Sequence, residues 1–175
     1  YPALLDYKNG VMITDIDDFP MNNTFFTKNI ENISLEKWVN LRDWTGNKQI
    51  SMCWQVSTPK NWREVFQINN LEDIKNTLIN ENKKIVYFDK PGKSGWFTDQ
   101  IYLYDKVMEW NKKTKNYICL KDSSTKFNRL DRHRFDINNE TIRNKIRNGV
   151  YSDYHCLRPM SSYLKINNEI YSLLL

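Results

Sequence analysis

The apolar residues of this chain come in short runs, and turn-forming residues interrupt them at close, regular intervals along its 175 positions. No run approaches the roughly 18–20 apolar residues that a membrane-spanning helix needs. No internal repeat or linker-like tract divides the chain either. The spacing therefore predicts one continuous domain over residues 1–175, since roughly 100–200 residues per domain is usual. Apolar residues at 40% and aromatic residues at 14% supply enough side-chain bulk for a core, unlike the aromatic-poor composition of a disordered chain.

Periodicity and capping residues predict the elements. Residues 11–14 (VMIT) read as a buried strand that runs into Asp15, Asp17 and Asp18. Ser34 is a candidate N-cap for a short helix over LEKWVNLRDW, with Leu35, Trp38 and Val39 on one face and Gly46 as its stop. Residues 50–56 (ISMCWQV) suit a central strand closed by Pro59, which cannot donate to a ladder. Asn70 caps a helix in which Leu71, Ile74 and Leu78 share a face, and Glu72 and Asp73 suit the positive end of its dipole. With KKIVYFD as the next strand, residues 50–89 take the order of a crossover unit.

From Trp96 onward the alternation of Phe97, Ile101 and Leu103 with Trp96, Tyr102 and Tyr104 predicts a strand. VMEW and NYICLK then flank NKKTKN as an antiparallel hairpin with lysines at its tip. Asn139 caps a third helix, with Ile142 and Ile146 inward and Arg143 and Arg147 outward, ending at Gly149. The tail YLKINNEIYSLLL reads as a hairpin turning at Asn167 and Asn168. The expected fold class is α+β, a largely antiparallel sheet of five to eight strands with about three helices on one face.

Charge is unevenly distributed. Residues 83–134 carry 13 Lys and Arg against 6 Asp and Glu, whereas residues 1–82 carry 8 against 11. A basic middle attracts anions such as nucleic acid, acidic proteins or anionic headgroups. The leading expectation is a nucleic-acid-associated module, RNA included. In it, Lys112, Lys113, Lys115, Lys121, Lys126, Arg129, Arg132 and Arg134 contact phosphates, and Trp96, Tyr102, Tyr104 and Trp110 stack on bases. The same asymmetry fits a protein-interaction module whose acidic and basic surfaces meet partners of opposite charge.

Two histidines, His133 in LDRHRFD and His155 in SDYHCLRP, have acidic and basic neighbours. That is the residue mix of a metal-independent nuclease of the effector or toxin kind, where a histidine moves the proton and a cation stabilises the phosphate. Cys53, Cys119 and Cys156 are widely separated and form no zinc spacing, which suits thiols in the cytoplasm or another reducing compartment. Cys119, inside a strand-like run, is expected to be buried. Cys53 as a hydrolase nucleophile is disfavoured, since it falls in a strand rather than at a helix N-terminus. The N-x-[ST] triplets at Asn22, Asn32 and Asn139 arise readily in an Asn-rich chain, and the start at Tyr1 suggests a trimmed or processed piece.

The run VMITDIDD resembles the first motif of the haloacid dehalogenase-like phosphatases, an apolar strand leading into D-x-D. The resemblance implies Asp15 as nucleophile, Asp17 as acid or base, and Mg²⁺ held by carboxylates, with Ser57 or Thr58 and then Asp89 at the ends of following strands. It covers only these short pieces, and no G-D-x-x-x-D segment follows. Mg²⁺ is the one cofactor any of these readings calls for.

Overall fold

A computed structural model describes residues 1–43, 48–88, 90 and 92–175. In chain order the strands are β1 (Val11–Ile13), β2 (Asp18–Pro20), β3 (Trp38–Asn40), β4 (Gln55–Ser57), β5 (Tyr117–Cys119), β6 (Arg129–Leu130) and β7 (Asp153–His155). The helices are α1 (Asn23–Lys28), α2 (Pro59–Phe66), α3 (Leu71–Asn82), α4 (Thr98–Thr114), α5 (Asp122–Thr125), α6 (Glu140–Arg147) and α7 (Leu164–Ser172). The fold is α+β. Its described helices outnumber the three expected, and both sheets are mixed rather than largely antiparallel. No described helix is long and apolar enough to cross a membrane.

The chain forms two compact units. The first comprises Tyr1–Ile13 and Ile33–Lys121. Its sheet has the order β1-β4-β3-β5, with β5 parallel to β3 and the other pairs antiparallel. β3 is buried at all three positions, and a polar chain locks it to β4. Trp38 Nε1 donates to Gln55 Oε1 (2.8 Å), and Gln55 Nε2 donates to Asn40 Oδ1 (2.7 Å). Buried amides are tolerated there because each finds a partner. The helix expected over residues 35–44 is therefore not formed. Ser34 accepts instead from Glu36 N in a local turn, and Trp44 and Gly46 lie outside the described residues. The strand expected over 50–56 is shorter and later, and Pro59 opens α2, with Thr58 accepting from Asn61 N as its N-cap.

The largest departure is α4, which replaces both the strand from Trp96 and the hairpin around NKKTKN. Leu103, Val107 and Trp110 recur at helical spacing and are the buried residues of the helix. The alternation near its start covers a stretch too short to compete with that stripe. The crossover unit is also absent: residues 85–88 form no strand, Val86, Tyr87 and Phe88 are exposed, and Asp89 and Pro91 lie outside the described residues. α3 forms as expected, closed by a capping box between Asn70 and Asp73. Its apolar face is not buried, however. The core of this unit gathers Trp38, Trp62, Phe66, Leu103, Val107 and Trp110.

The second unit comprises Thr14–Asn32 and Asp122–Leu175. Its sheet has the order β2-β7-β6, β7 running antiparallel to β2 and parallel to β6. Asn139 caps α6 and Ile146 is its buried residue, as expected. The C-terminal hairpin is replaced by α7. There Asn167 is no turn residue: its Oδ1 accepts from Tyr154 Oη at 2.7 Å, and Ile170 enters the core with Leu130, Ile146 and Tyr154.

Candidate functional site

Strand alternation builds the polar side of the second unit's sheet. β7 reads Asp153, Tyr154, His155, so Tyr154 enters the core while its two neighbours point to the opposite face. Register then places Asp18 of β2 opposite His155 and Arg129 of β6 opposite Asp153. A turn closed by Asp18 N donating to Asp15 O sets Asp17 at the entrance to β2, and Cys156 N donates to Asp17 O (2.8 Å).

Three guanidiniums meet these carboxylates. Arg129 binds Asp153 through Nε (3.0 Å) and Nη2 (2.5 Å), and Nη2 also reaches Asp18 Oδ2 at 2.9 Å. Arg132 Nη2 donates to Asp17 Oδ2 at 2.5 Å, and Arg158 Nε lies 3.0 Å from the same oxygen. His155 stands between them. Its Nδ1 is 2.8 Å from Asp131 Oδ1, its Nε2 contacts the Arg132 guanidinium, and Nε2 lies 3.9 Å from Asp17 Oδ2. Asp17, Asp18 and His155 each offer a ligand atom, all within 4.8 Å of one another.

Burial sharpens the electrostatics. The side chains of Asp17, Asp18 and Asp153 are 8%, 1% and 0% exposed, whereas Arg158 is 57% exposed and reaches solvent. Burial pushes the Asp17 carboxyl up, but its hydrogen bond to Arg132 and the charges of Arg132, Arg158 and His155 outweigh that and hold it below the usual value. The neighbouring Cys156 thiol is pushed up to about 11, first by burial and then by the charges of Asp17 and Asp18.

The expected site residues divide. Asp17 and His155 come together with Arg129 and Arg132. Asp15 supplies the carbonyl of the turn before them. His133 lies in an exposed turn with φ 62°, and the bonds of the cluster run through its neighbours Arg132 and Asp131 instead. Arg134 reaches the outer oxygen of Asp131 at 3.2 Å. Lys126 is exposed on a left-handed residue, φ 58°. The cluster also draws in Asp18, Asp131, Asp153 and Arg158, which were not candidates. The signal for Asp153 is the D-x-H alternation of a strand in SDYH, and that for Arg158 its place three residues after His155.

The remaining cations and rings lie in the first unit. Lys112 and Lys113 occupy the last turn of α4 and Lys115 its left-handed C-cap, where cations complement the helix dipole. No hairpin tip presents them. Lys121 ends that unit. Trp96 is exposed, but Tyr102 and Tyr104 pack against the core, and Trp110 is buried with Nε1 donating to Glu64 Oε2 at 3.3 Å. The four rings therefore do not form an exposed row on a strand.

Cys53 is buried in the turn before β4, while Cys119 is exposed, contrary to the expectation of burial. Ser57 ends β4, the strand position the phosphatase resemblance implies, and its hydroxyl donates to Lys37 O, while Thr58 is spent as a helix cap. No known protein family matches the chain, and neither a curated protein nor a solved structure does.

Proposed function

We propose that the polar face of the second unit is a divalent-cation and phosphate site, and that the protein is a metal-dependent enzyme acting at a phosphate group of its substrate. The observation that carries this reading is the convergence of two aspartates and one histidine, Asp17, Asp18 and His155, on one point. Two carboxylates and an imidazole suit Mg²⁺ or Mn²⁺, with Mn²⁺ better served by the nitrogen. A cation so held supplies positive charge at a phosphoryl oxygen and polarises it.

The chain's own residues then have distinct roles. Asp17, Asp18 and His155 would hold the ion. Asp131, on Nδ1, orients the imidazole so that Nε2 faces the carboxylates, the usual support for a metal-bound histidine. Arg132 and Arg158 both hold Asp17 through one oxygen. Their guanidiniums would also be the groups to pair with a substrate phosphate, which their planar forks suit. Arg129 keeps Asp153 and Asp18 in register. Lys126, Arg132, Arg134 and Arg158, all of this unit, favour a polyanionic substrate, nucleic acid among them.

A second reading rests on the 2.8 Å contact between His155 and Asp131, which is also the pairing of an oriented general acid or base. On it, the protein is a metal-independent nuclease with Arg132 and Arg158 on the phosphate. One assay separates the two. Protein stripped with EDTA is tested on phosphomonoesters, phosphodiesters and single-stranded RNA, with and without added Mn²⁺. Turnover that disappears on stripping and returns with Mn²⁺ supports the metal site, and turnover untouched by EDTA supports the nuclease.

A further inference from the structure

In the first unit α3 and the start of α4 line an open cavity of about 870 Å³. Small-molecule sites commonly measure about 300–1,000 Å³. Its floor is the core rings Trp62 and Phe66, and Tyr102 of α4 lines one side. Ile74 and Leu78 of α3 line the cavity too. Tyr87 and Trp96 line it as well. Gly95 lets its backbone approach Tyr87 closely, since a Cβ there would stand 2.6 Å from the Tyr87 ring.

α3 has no buried residue, although its cap and its apolar stripe are those of a core helix, and Leu78 is 65% exposed. Apolar surface held open in this way favours an apolar occupant. The charge of the lining narrows its chemistry. Glu81 and Asp99 are among the lining residues, and no Lys, Arg or His is among the described ones. Lys84 pairs with Glu81 (2.7 Å) but does not line the cavity. Glu81 also helps to raise the Tyr102 hydroxyl pKa, after burial. Aromatic faces beside carboxylates attract an organic cation and disfavour an anion.

We infer that this cavity binds an amphiphilic amine, an alkyl or aryl chain ending in a protonated nitrogen. The site is separate from the proposed metal centre and independent of it. Titrations of the full chain with decylammonium, decanol and decanoate, each below its aggregation concentration, test this through tryptophan fluorescence. Decylammonium is expected to bind at least tenfold more tightly than decanoate, with decanol between them. Glu81→Gln combined with Asp99→Asn is expected to abolish that ranking, and Leu78→Trp to weaken the amine at least tenfold with an unchanged circular dichroism spectrum. If Leu78→Trp does not fold, Ile74→Phe is judged by the same criterion, while the ranking in the parent protein needs no variant. Equal affinities for amine and acid, no binding of either, or a folded wall variant that binds like the parent would overturn the inference.

Discussion

Asp131 and His155 lie 24 residues apart in sequence, yet their side chains meet at 2.8 Å, with the carboxylate on Nδ1 and Nε2 turned toward Asp17. Strand β7 delivers the imidazole, and the segment after β6 delivers the carboxylate. That contact fixes which nitrogen faces the acid cluster, and so it ties the sheet's register to the proposed chemistry.

Asp131→Asn is expected to weaken Mn²⁺ binding about tenfold or more while leaving the fold intact, the range seen when a carboxylate behind a metal-bound histidine is lost. Calorimetric titration of the variant beside the parent measures this. Unchanged affinity would mean that the contact does not serve an ion.

Arg129→Met removes the guanidinium that joins Asp153 to Asp18, two side chains 0% and 1% exposed. Removing one partner of a buried pair costs about 3–5 kcal/mol. Urea unfolding should register a loss of that order. A loss within about 0.5 kcal/mol, the usual range of surface substitutions, would show the pair to be dispensable.

Asp17 is held below its ordinary pKa of 3.8 in the folded state, so it binds protons less readily there than in the unfolded chain. Its contribution to stability is therefore fully present above about pH 4 and disappears as pH falls through the lower folded value. Asp17→Asn should flatten the acid limb of a stability-against-pH curve. An acid limb identical to the parent's would contradict the ion pairs with Arg132 and Arg158.

Thiol reactivity should rank by exposure. Cys119 is exposed, Cys53 and Cys156 are buried, and the Cys156 thiol is raised to about 11. Iodoacetamide at pH 8 is expected to modify Cys119 first, read by peptide mass spectrometry, because the thiolate is the nucleophile. Modification of Cys156 at a comparable rate in the folded protein would be inconsistent with its burial.

The elements legible in the sequence are those whose signals are local. Asn70 and Asn139 marked their helices because a cap and the next turn lie within a few residues. The elements that misled are those decided by distant partners. Trp38–Asn40 is a strand because β4 and β5 flank it, and its helical spacing of apolar residues could not report that. The tail lies against Tyr154, so Asn167 serves a buried hydroxyl rather than a turn. Half of the site was visible in the same way. D-I-D before a turn and a histidine among charges were readable, but Asp131, Asp153 and Arg158 acquire meaning only through the register of β2, β6 and β7.

The proposed function stands on Asp17, Asp18 and His155 holding one divalent ion. Electron paramagnetic resonance of Mn²⁺ added to the parent, Asp17→Asn and His155→Ala proteins tests it directly, with circular dichroism to establish that each is folded. One bound equivalent is expected in the parent, with at least a tenfold loss of affinity in either variant. Free Mn²⁺ throughout, or equal binding by all three folded proteins, would contradict it.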